Sequence, residues 1–265
     1  MELKIYQVDA FTDHLFSGNP AAVCPLDRWL PDSTMQKIAM ENNLSETAFF
    51  IEEGDGFHIR WFTPSTEIQL CGHATLASAF VYFKYINTAA QQIVFHSHSG
   101  PLTVSTDGEQ LTLDFPKQSV KPVSFPKLLS EALGTKPLEV FATDDWLVLV
   151  EDEAAVRNLQ PDMTLLKQLD LRGVIVTSKG TDCDFVSRFF VPKSGVDEDP
   201  VTGSAHTKLT PFWAERLNKK TLHARQISTR GGEIRCELKG ERVLLSGTAI
   251  PYLIGTITVE SSLCE

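Results

Sequence analysis

Short segments of apolar or alternating residues, rich in β-branched and aromatic side chains, dominate the chain and predict strands. In the first half these segments are residues 4–10, 21–24, 47–51, 57–62, 93–96, 102–106 and 111–115. In the second half they are residues 174–177, 184–191, 225–228, 233–238, 242–246 and 253–259. Many strands with few helices between them predict an α+β fold.

Helical spacing of apolar residues is limited to a few segments. Residues 32–43 and 72–85 are the two in the first half, and the second of these is apolar on nearly all sides, which predicts a buried central helix. The second half has two short helical segments, at 128–133 and 163–169, and a longer one at 203–217. Residues 116–126 are punctuated by proline without periodicity, which predicts a linker.

One building block occurs twice in the sequence. Arg60-Trp-Phe-Thr-Pro64 is followed by Gly72 and small residues, and Arg188-Phe-Phe-Val-Pro192 is followed by Gly203 and small residues. Each copy predicts an aromatic strand, a turn and a helix start, so we expect two similar domains, each a β-barrel-like sheet around a central helix. We place the N-terminal domain at 1–116, with a strand at about 251–260 packing back onto it. The C-terminal domain is placed at 117–250, with an active-site cleft between the two.

Composition excludes several classes of function. The net charge is −10 without any Lys/Arg cluster, which argues against nucleic-acid binding. No apolar run reaches the roughly 18 residues of a membrane span, and the N-terminus does not have the pattern of a signal peptide. The cysteines are scattered, without any C-x-x-C pair, which favours the cytoplasm over a disulfide framework or a thiolate zinc site. They are Cys24, Cys71, Cys183, Cys236 and Cys264.

The two glycine helix starts are candidate anion sites. The first turn of a helix offers unpaired N–H groups and the positive end of the dipole, and Gly72 and Gly203 let a ligand approach that backbone. The alternative is that each glycine only permits a tight turn. The duplication favours binding of a small anionic substrate.

Two carboxylates are candidates for acid/base chemistry. Glu46 precedes an apolar strand, where a carboxyl group with a raised pKa serves as a general acid/base; a solvated loop charge is the alternative. Asp199 precedes the second glycine helix, where it either caps the helix, orients a substrate amine or hydroxyl, or is solvated. We take its neighbours Asp197 and Glu198 as solvated.

His73 and Cys71 flank the first glycine. The helix dipole is expected to depress the pKa of His73 and leave a neutral imidazole, with a packed polar residue as the alternative. The same dipole favours a thiolate at Cys71, as a nucleophile or acid/base group. Other histidines, among them His206, His96 and His98, lack the spacing of a metal motif, so we predict no metal site.

The motifs together resemble the PhzF-like family of phenazine-biosynthesis-type isomerases, which are relatives of diaminopimelate epimerase. The matching segments, in family order over nearly the whole chain, are Asp9-Ala-Phe-Thr12, Phe16-Ser-Gly-Asn-Pro-Ala-Ala-Val23, Asn43-Leu-Ser-Glu-Thr-Ala-Phe49, Arg60-Trp-Phe-Thr-Pro64, Cys71-Gly-His-Ala-Thr-Leu-Ala77, Glu198-Asp-Pro-Val-Thr-Gly-Ser-Ala-His206 and Ser228-Thr-Arg-Gly-Gly232. Gln69 and Thr207 depart from residues that are common in the family, which leaves the substrate open.

The resemblance implies a diaminopimelate epimerase-like fold in a homodimeric enzyme without a cofactor. It implies that Glu46 shuttles the proton, that His73 and Asp199 assist, and that the substrate is bound by Ser45, Cys71, Gly72, Gly203 and Ser204. We therefore expect a cytoplasmic isomerase acting on a small carboxylate-bearing metabolite. The alternatives are a carboxylate-binding protein without turnover and an amino-acid epimerase or racemase that uses Cys71; a mechanism with two thiols is disfavoured because Pro200-Val201 precedes the second helix start.

Overall fold

The computed structural model describes residues 1–54, 56–260 and 263. The chain divides into two compact units. The first comprises Met1–Asp114 and the chain from Ser246 onward, and the second comprises Phe115–Leu245. The fifth cysteine of the sequence analysis, Cys264, lies outside the described residues; the other four are free thiols.

The elements follow in chain order. The first half forms β1 (Glu2–Ala10), β2 (Asn19–Leu26), α1 (Asp32–Asn42), β3 (Glu46–Glu53), β4 (Gly56–Phe62), β5 (Glu67–Ile68), α2 (Gly72–Val81), β6 (Gln92–Ser97), β7 (Gly100–Thr106) and β8 (Leu111–Pro116). The second half forms β9 (Lys121–Pro122), α3 (Lys127–Leu133), β10 (Glu139–Ala142), β11 (Trp146–Leu149), α4 (Glu153–Arg157), α5 (Met163–Leu166), β12 (Val174–Lys179), β13 (Phe185–Val191), β14 (Val196–Asp199), α6 (Gly203–Leu217), β15 (Thr221–Gln226), β16 (Gly232–Lys239), β17 (Arg242–Gly247) and β18 (Ala249–Thr258).

The same strand arrangement occurs in both units. In the first unit β2 is parallel to β3, β3 is antiparallel to β4, and β4 pairs antiparallel with β5 and parallel with β6. In the second unit β11 is parallel to β12, β12 is antiparallel to β13, and β13 pairs antiparallel with β14 and parallel with β15. The long helices α2 and α6 occupy the same place in this order. The predicted duplication is therefore confirmed.

An arginine–glutamate pair is part of the duplicated block. Arg60 on β4 donates from Nε and Nη2 to the two carboxylate oxygens of Glu67 on β5, both at 2.7 Å. Arg188 on β13 makes the same bidentate contact with Glu198 on β14, at 2.7 and 2.8 Å. The interpretation of Glu198 as a solvated residue is wrong, because a bidentate guanidinium–carboxylate contact holds β14 against β13.

The two glycine-started helices are buried. Eight of the residues of α2 are buried, as its all-round apolar sequence predicts, and α6 buries most of its first three turns. The predicted α2 continues to residue 85, but the structure changes to a π-helical turn at Tyr82–Ile86, where Asn87 N donates to Tyr82 O at 2.8 Å. Within the described residues, no helix combines the length and apolar character that crossing a membrane requires.

Several short elements were not predicted from the sequence. The strands β10 and β11 have four residues each, and α4 has five, so none is long enough to show a clear period. The predicted linker contains β9, which pairs with β10. The strand predicted at 225–228 begins earlier, at Thr221, because the chain enters β15 soon after α6 ends.

The strand β18 pairs antiparallel with β1 and has an exposed apolar surface. Tyr252, Leu253 and Ile254 are consecutive exposed residues on it, and Phe16 packs edge-on against Tyr252 at 5.8 Å between ring centroids. The strand has no charged residue. Clustered exposed apolar side chains are typical of surfaces that contact another chain.

We propose that this surface of β18 is the contact between two copies of the chain. Because β18 carries no charge, a second copy of this acidic protein meets no like-charge repulsion there. Ile254→Lys is expected to convert a dimer into a monomer, measured by light scattering after size-exclusion chromatography. Leu138→Lys, which changes an exposed leucine outside this surface, is the control and is expected to stay dimeric. A dimeric Ile254→Lys variant contradicts the assignment.

Candidate active site

Glu46 is the first residue of β3, where it lies opposite Ala21 of β2. The chain reaches it from α1 through Asn43, whose φ of 49° ends the helix in the left-handed region. The Glu46 side chain is only 15% exposed. Glu46 is therefore not a solvated loop charge.

His73, in the first turn of α2, contacts Glu46 on one side and two other polar groups on the other. Its Nε2 lies 3.0 Å from Glu46 Oε2. Its Nδ1 lies 3.1 Å from Asn19 Nδ2 and 3.5 Å from Cys71 Sγ. Because an amide nitrogen only donates, Nδ1 of the neutral ring accepts from Asn19, and the ring proton is on Nε2, facing Glu46. This places three sequence-predicted residues, Glu46, Cys71 and His73, in one buried group.

Asn19 is the member of this group that reasoning from single residues did not identify. It is fully buried at the start of β2. Its only signal in the sequence was its place in a family motif. The predicted binding residues Ser45 and Gly72 adjoin the group in the chain, one before Glu46 and one before His73.

The electrostatics of the group differ from the sequence expectation. Burial alone lowers the pKa of His73, but its contacts with Cys71 and Glu46 hold that pKa well above its ordinary value. Burial raises the pKa of the Cys71 thiol to about 11, although the His73 contact lowers it. Both pKa directions are opposite to the sequence expectation: at His73 the contacts with Cys71 and Glu46 outweigh burial and the helix dipole, and at Cys71 burial outweighs the dipole. Near neutral pH Cys71 is therefore a neutral thiol.

The pKa values of His73 and His206 are shifted in opposite directions from the ordinary value. Burial lowers the pKa of His206 to about 4. The raised pKa of His73 contributes stability below its ordinary value of about 6.5, and this stability is lost as pH rises through the folded pKa. The lowered pKa of His206 contributes stability above about 6.5, lost as pH falls toward 4.

NMR titration of the two imidazoles measures this difference. At pH 7 the His73 ring is expected to be protonated and the His206 ring neutral. Single replacements of each histidine by glutamine assign the signals. A neutral His73 ring at pH 7, or a His206 ring that protonates near pH 6.5, contradicts the expectation.

Glu46, Cys71 and His73 offer a carboxylate oxygen, a thiol sulfur and an imidazole nitrogen within 4.8 Å of one another. These are ligand types that zinc accepts. However, His73 contacts Cys71 through Nδ1 and Glu46 through Nε2. One ion bound to all three residues would use only one of these two ring nitrogens.

The second unit has its own polar group at the start of α6. Thr202 Oγ1 donates to Asp199 Oδ2 at 2.5 Å, and Thr202 N donates to Gln226 Oε1 at 2.9 Å. Gln226 Nε2 donates in turn to Asp199 O at 2.6 Å. Gln226 is fully buried and was not predicted. It fixes the turn that presents Asp199, Gly203 and Ser204 side by side.

His206 and Thr207 have structural contacts in α6. His206 Nδ1 lies 2.8 Å from Thr202 O, one helical turn before it. Thr75 holds the same position in α2, where its Oγ1 donates to Cys71 O at 2.5 Å. Thr207 Oγ1 donates to Ser204 O at 2.8 Å. These side chains stabilise the first turn of each helix.

Ser204 belongs to a further group that the sequence analysis missed. Arg172 Nη2 donates to Ser204 Oγ at 3.2 Å and to Asp145 Oδ2 at 2.5 Å. Lys208, one turn after Ser204 on α6, donates from Nζ to Asp145 Oδ2 at 2.8 Å and lies 2.9 Å from Asp144 Oδ1. The available signal was a lysine among the apolar residues of α6, since a buried charge requires a partner.

Comparison with known proteins agrees with this structure. The profile of a family described as "Phenazine biosynthesis-like protein" matches residues 8–255. The chain belongs to this family. An uncharacterized isomerase of Pseudomonas aeruginosa is 52% identical over 257 residues, which cover 97% of this chain and 99% of that protein.

Solved structures of the phenazine biosynthesis-like family and of more distant proteins share the fold. A PhzF family protein of Enterococcus faecalis has a TM-score of 0.95 at 49% identity, covering 98% of this chain and 100% of that one. A hydroxyproline epimerase of Agrobacterium vitis has a TM-score of 0.61 at 10% identity, covering 99% and 94%. The family resemblance and the epimerase-like α+β fold are confirmed, and the relatives' names support an isomerase-type enzyme.

Proposed function

We propose that the protein is an isomerase that moves a proton on a small carboxylate-bearing metabolite without a cofactor, with Glu46 as the acid/base group. The observation that carries the proposal is the contact between Glu46 Oε2 and the buried His73 Nε2 at 3.0 Å. Among the residues that the structure describes, neither atom has a hydrogen-bond partner of suitable geometry. Buried polar atoms without a hydrogen-bond partner favour a role in binding a ligand or in catalysis.

The chemistry needs one group that takes a proton from carbon and returns it to another position. The carboxylate of Glu46 accepts the proton from the substrate carbon, and the same carboxyl group then donates it. His73 donates toward Glu46 and holds its orientation, and its positive charge stabilises the carboxylate before the first transfer and after the second. Asn19 Nδ2 donates to Nδ1 only in the neutral ring, whereas Nδ1 of the charged ring donates toward Cys71 Sγ at 3.5 Å.

The start of α6 supports binding of the substrate carboxylate. Under this proposal the backbone N–H groups at Gly203 and Ser204 bind its oxygens, and Asp199 contacts an amine or hydroxyl of the substrate. Ser45, Gly72 and Cys71 complete the binding set that the family resemblance implies.

Two alternative functions are distinguished from the isomerase by experiment. An epimerase that uses Cys71 as a base is disfavoured, because its thiol has a pKa of about 11 and is neutral at physiological pH. A binding protein without turnover predicts carboxylate binding with no exchange of substrate hydrogen.

Isotope exchange tests the proposed function directly. Small carboxylic acids, including amino acids and unsaturated hydroxy acids, are incubated with the protein in deuterated water and followed by proton NMR. Deuterium entering a carbon position of a bound acid supports the isomerase. If acids bind but none of them exchanges hydrogen at carbon, the proposal is contradicted.

A further inference from the structure

Arg172 lies in the segment between α5 and β12, with its guanidinium directed at the start of α6. Nε donates to Asp145 Oδ1 at 2.9 Å, and Nη2 donates both to Asp145 Oδ2 at 2.5 Å and to Ser204 Oγ at 3.2 Å. The guanidinium carbon lies 5.5 Å from the centre of the Phe189 ring. The side chain is nevertheless 41% exposed. It is therefore fixed in orientation and still reachable from solvent.

The carboxylate that fixes Arg172 has a second cationic partner. Asp145 and Lys208 are both fully buried, and Lys208 Nζ lies 2.8 Å from Asp145 Oδ2. Lys208 Nζ also lies 2.9 Å from Asp144 Oδ1, so this lysine is shared by two carboxylates. Arg172 is the second cation of this group of two carboxylates and two cations, and of the two cations it is the one with an exposed side chain.

Holding the guanidinium of Arg172 in a partly buried ion cluster costs desolvation free energy, and it fixes the orientation of the donors. Burying charges is weakly stabilising at best compared with apolar packing, so a buried ion cluster often serves orientation. Asp145 takes the edge formed by Nε and Nη2, and Ser204 takes the second hydrogen of Nη2, so none of these three bonds uses Nη1. The Nη1 hydrogens, beside a serine hydroxyl, suit an oxygen of a carboxylate.

We propose that Arg172 is a specificity-determining residue that binds an anionic oxygen of the substrate, together with Ser204 Oγ, and thereby selects carboxylates. The proposal rests on the proposed function for its substrate class. In a protein with a net charge of −10, selection of an anion requires a local fixed cation, which Arg172 supplies. Asp145 and Lys208 act through Arg172 as positioning residues.

Calorimetric titration with malonate tests the proposal, with the uncharged malonamide as the isosteric comparison. Wild type is expected to bind malonate and not malonamide. Arg172→Gln is expected to weaken malonate binding at least about 10-fold, because a hydrogen bond to a charged group is lost. Arg172→Lys is expected to recover only part of it, since lysine lacks the planar fork. Ser204→Ala, which leaves the ion cluster intact, is expected to weaken binding several-fold.

Arg225→Gln is the matched control, because Arg225 is similarly exposed and pairs with Glu233 in the same unit. It is expected to bind malonate as wild type does. The proposal is overturned if wild type does not bind malonate, if malonamide binds equally well, or if Arg172→Gln binds malonate at the wild-type affinity. The isomerase proposal is tested separately. It fails, while the assignment of Arg172 stands, if malonate binding depends on Arg172 and no carboxylic acid exchanges hydrogen for deuterium.

Discussion

Glu46→Gln is expected to lose isotope exchange at the substrate carbon by a factor of about 10² to 10⁴. The replacement keeps the size of the side chain and a polar contact with His73, but it removes the group that accepts the proton. The variant is expected to keep its fold and its carboxylate binding. Exchange is measured by proton NMR in deuterated water, and binding by calorimetry.

Glu53→Gln is the matched control for this variant. Glu53 is the last residue of the same strand, and it pairs with His58 at an exposed site. It is expected to exchange at the wild-type rate. Exchange at the wild-type rate in Glu46→Gln would falsify the acid/base assignment. Loss of exchange in Cys71→Ser, with Glu46→Gln active, would favour the thiol mechanism instead.

Asp145→Asn is expected to lower the free energy of unfolding by about 3–5 kcal/mol, the usual cost of breaking a buried ion pair. The replacement leaves the fully buried ammonium group of Lys208 with Asp144 as its remaining carboxylate, and that side chain is half exposed. Urea unfolding measures the loss. Glu139→Gln, which breaks the surface pair with Arg216, is the control and is expected to cost about 0–1 kcal/mol.

A second replacement separates the ion pair from the packing around it. In the Asp145→Asn background, Lys208→Met removes the unpaired buried charge and keeps an unbranched apolar side chain. The double variant is expected to be more stable than Asp145→Asn alone. If the losses in free energy of unfolding from Asp145→Asn and Lys208→Met simply add, the pairing of the two side chains is contradicted, because residues in contact are expected to be coupled.

Sequence reasoning succeeded where the determinants are local. The start of α2 at Gly72 and both ends of α6 follow from glycine, the small residues after it and helical spacing, and the structure places these boundaries as predicted. The duplicated segments around Arg60 and Arg188 were visible for the same reason. The family motifs then marked Glu46 and His73 as candidate functional residues.

The contacts between distant residues were beyond local reasoning. Asn19 is 54 positions from His73, and Asp145 is 63 positions from Lys208, so neither pair shares a periodic pattern. The pKa directions of His73 and Cys71 were wrong because the helix dipole was visible in the sequence, whereas full burial and the carboxylate of Glu46 were not. A solvated Glu198 was predicted because its partner Arg188 lies on a different strand.

The pairing of β1 with β18 has a consequence for synthesis on the ribosome. The N-terminal amine of Met1 donates to Val259 O, 258 positions along the chain. At ~5–20 residues per second, β1 waits roughly 10 to 50 s for its partner. The continuous second unit emerges complete during that time. The nascent chain is therefore expected to expose one edge of β1 until β18 has left the ribosome, which makes this strand a natural binding site for a chaperone.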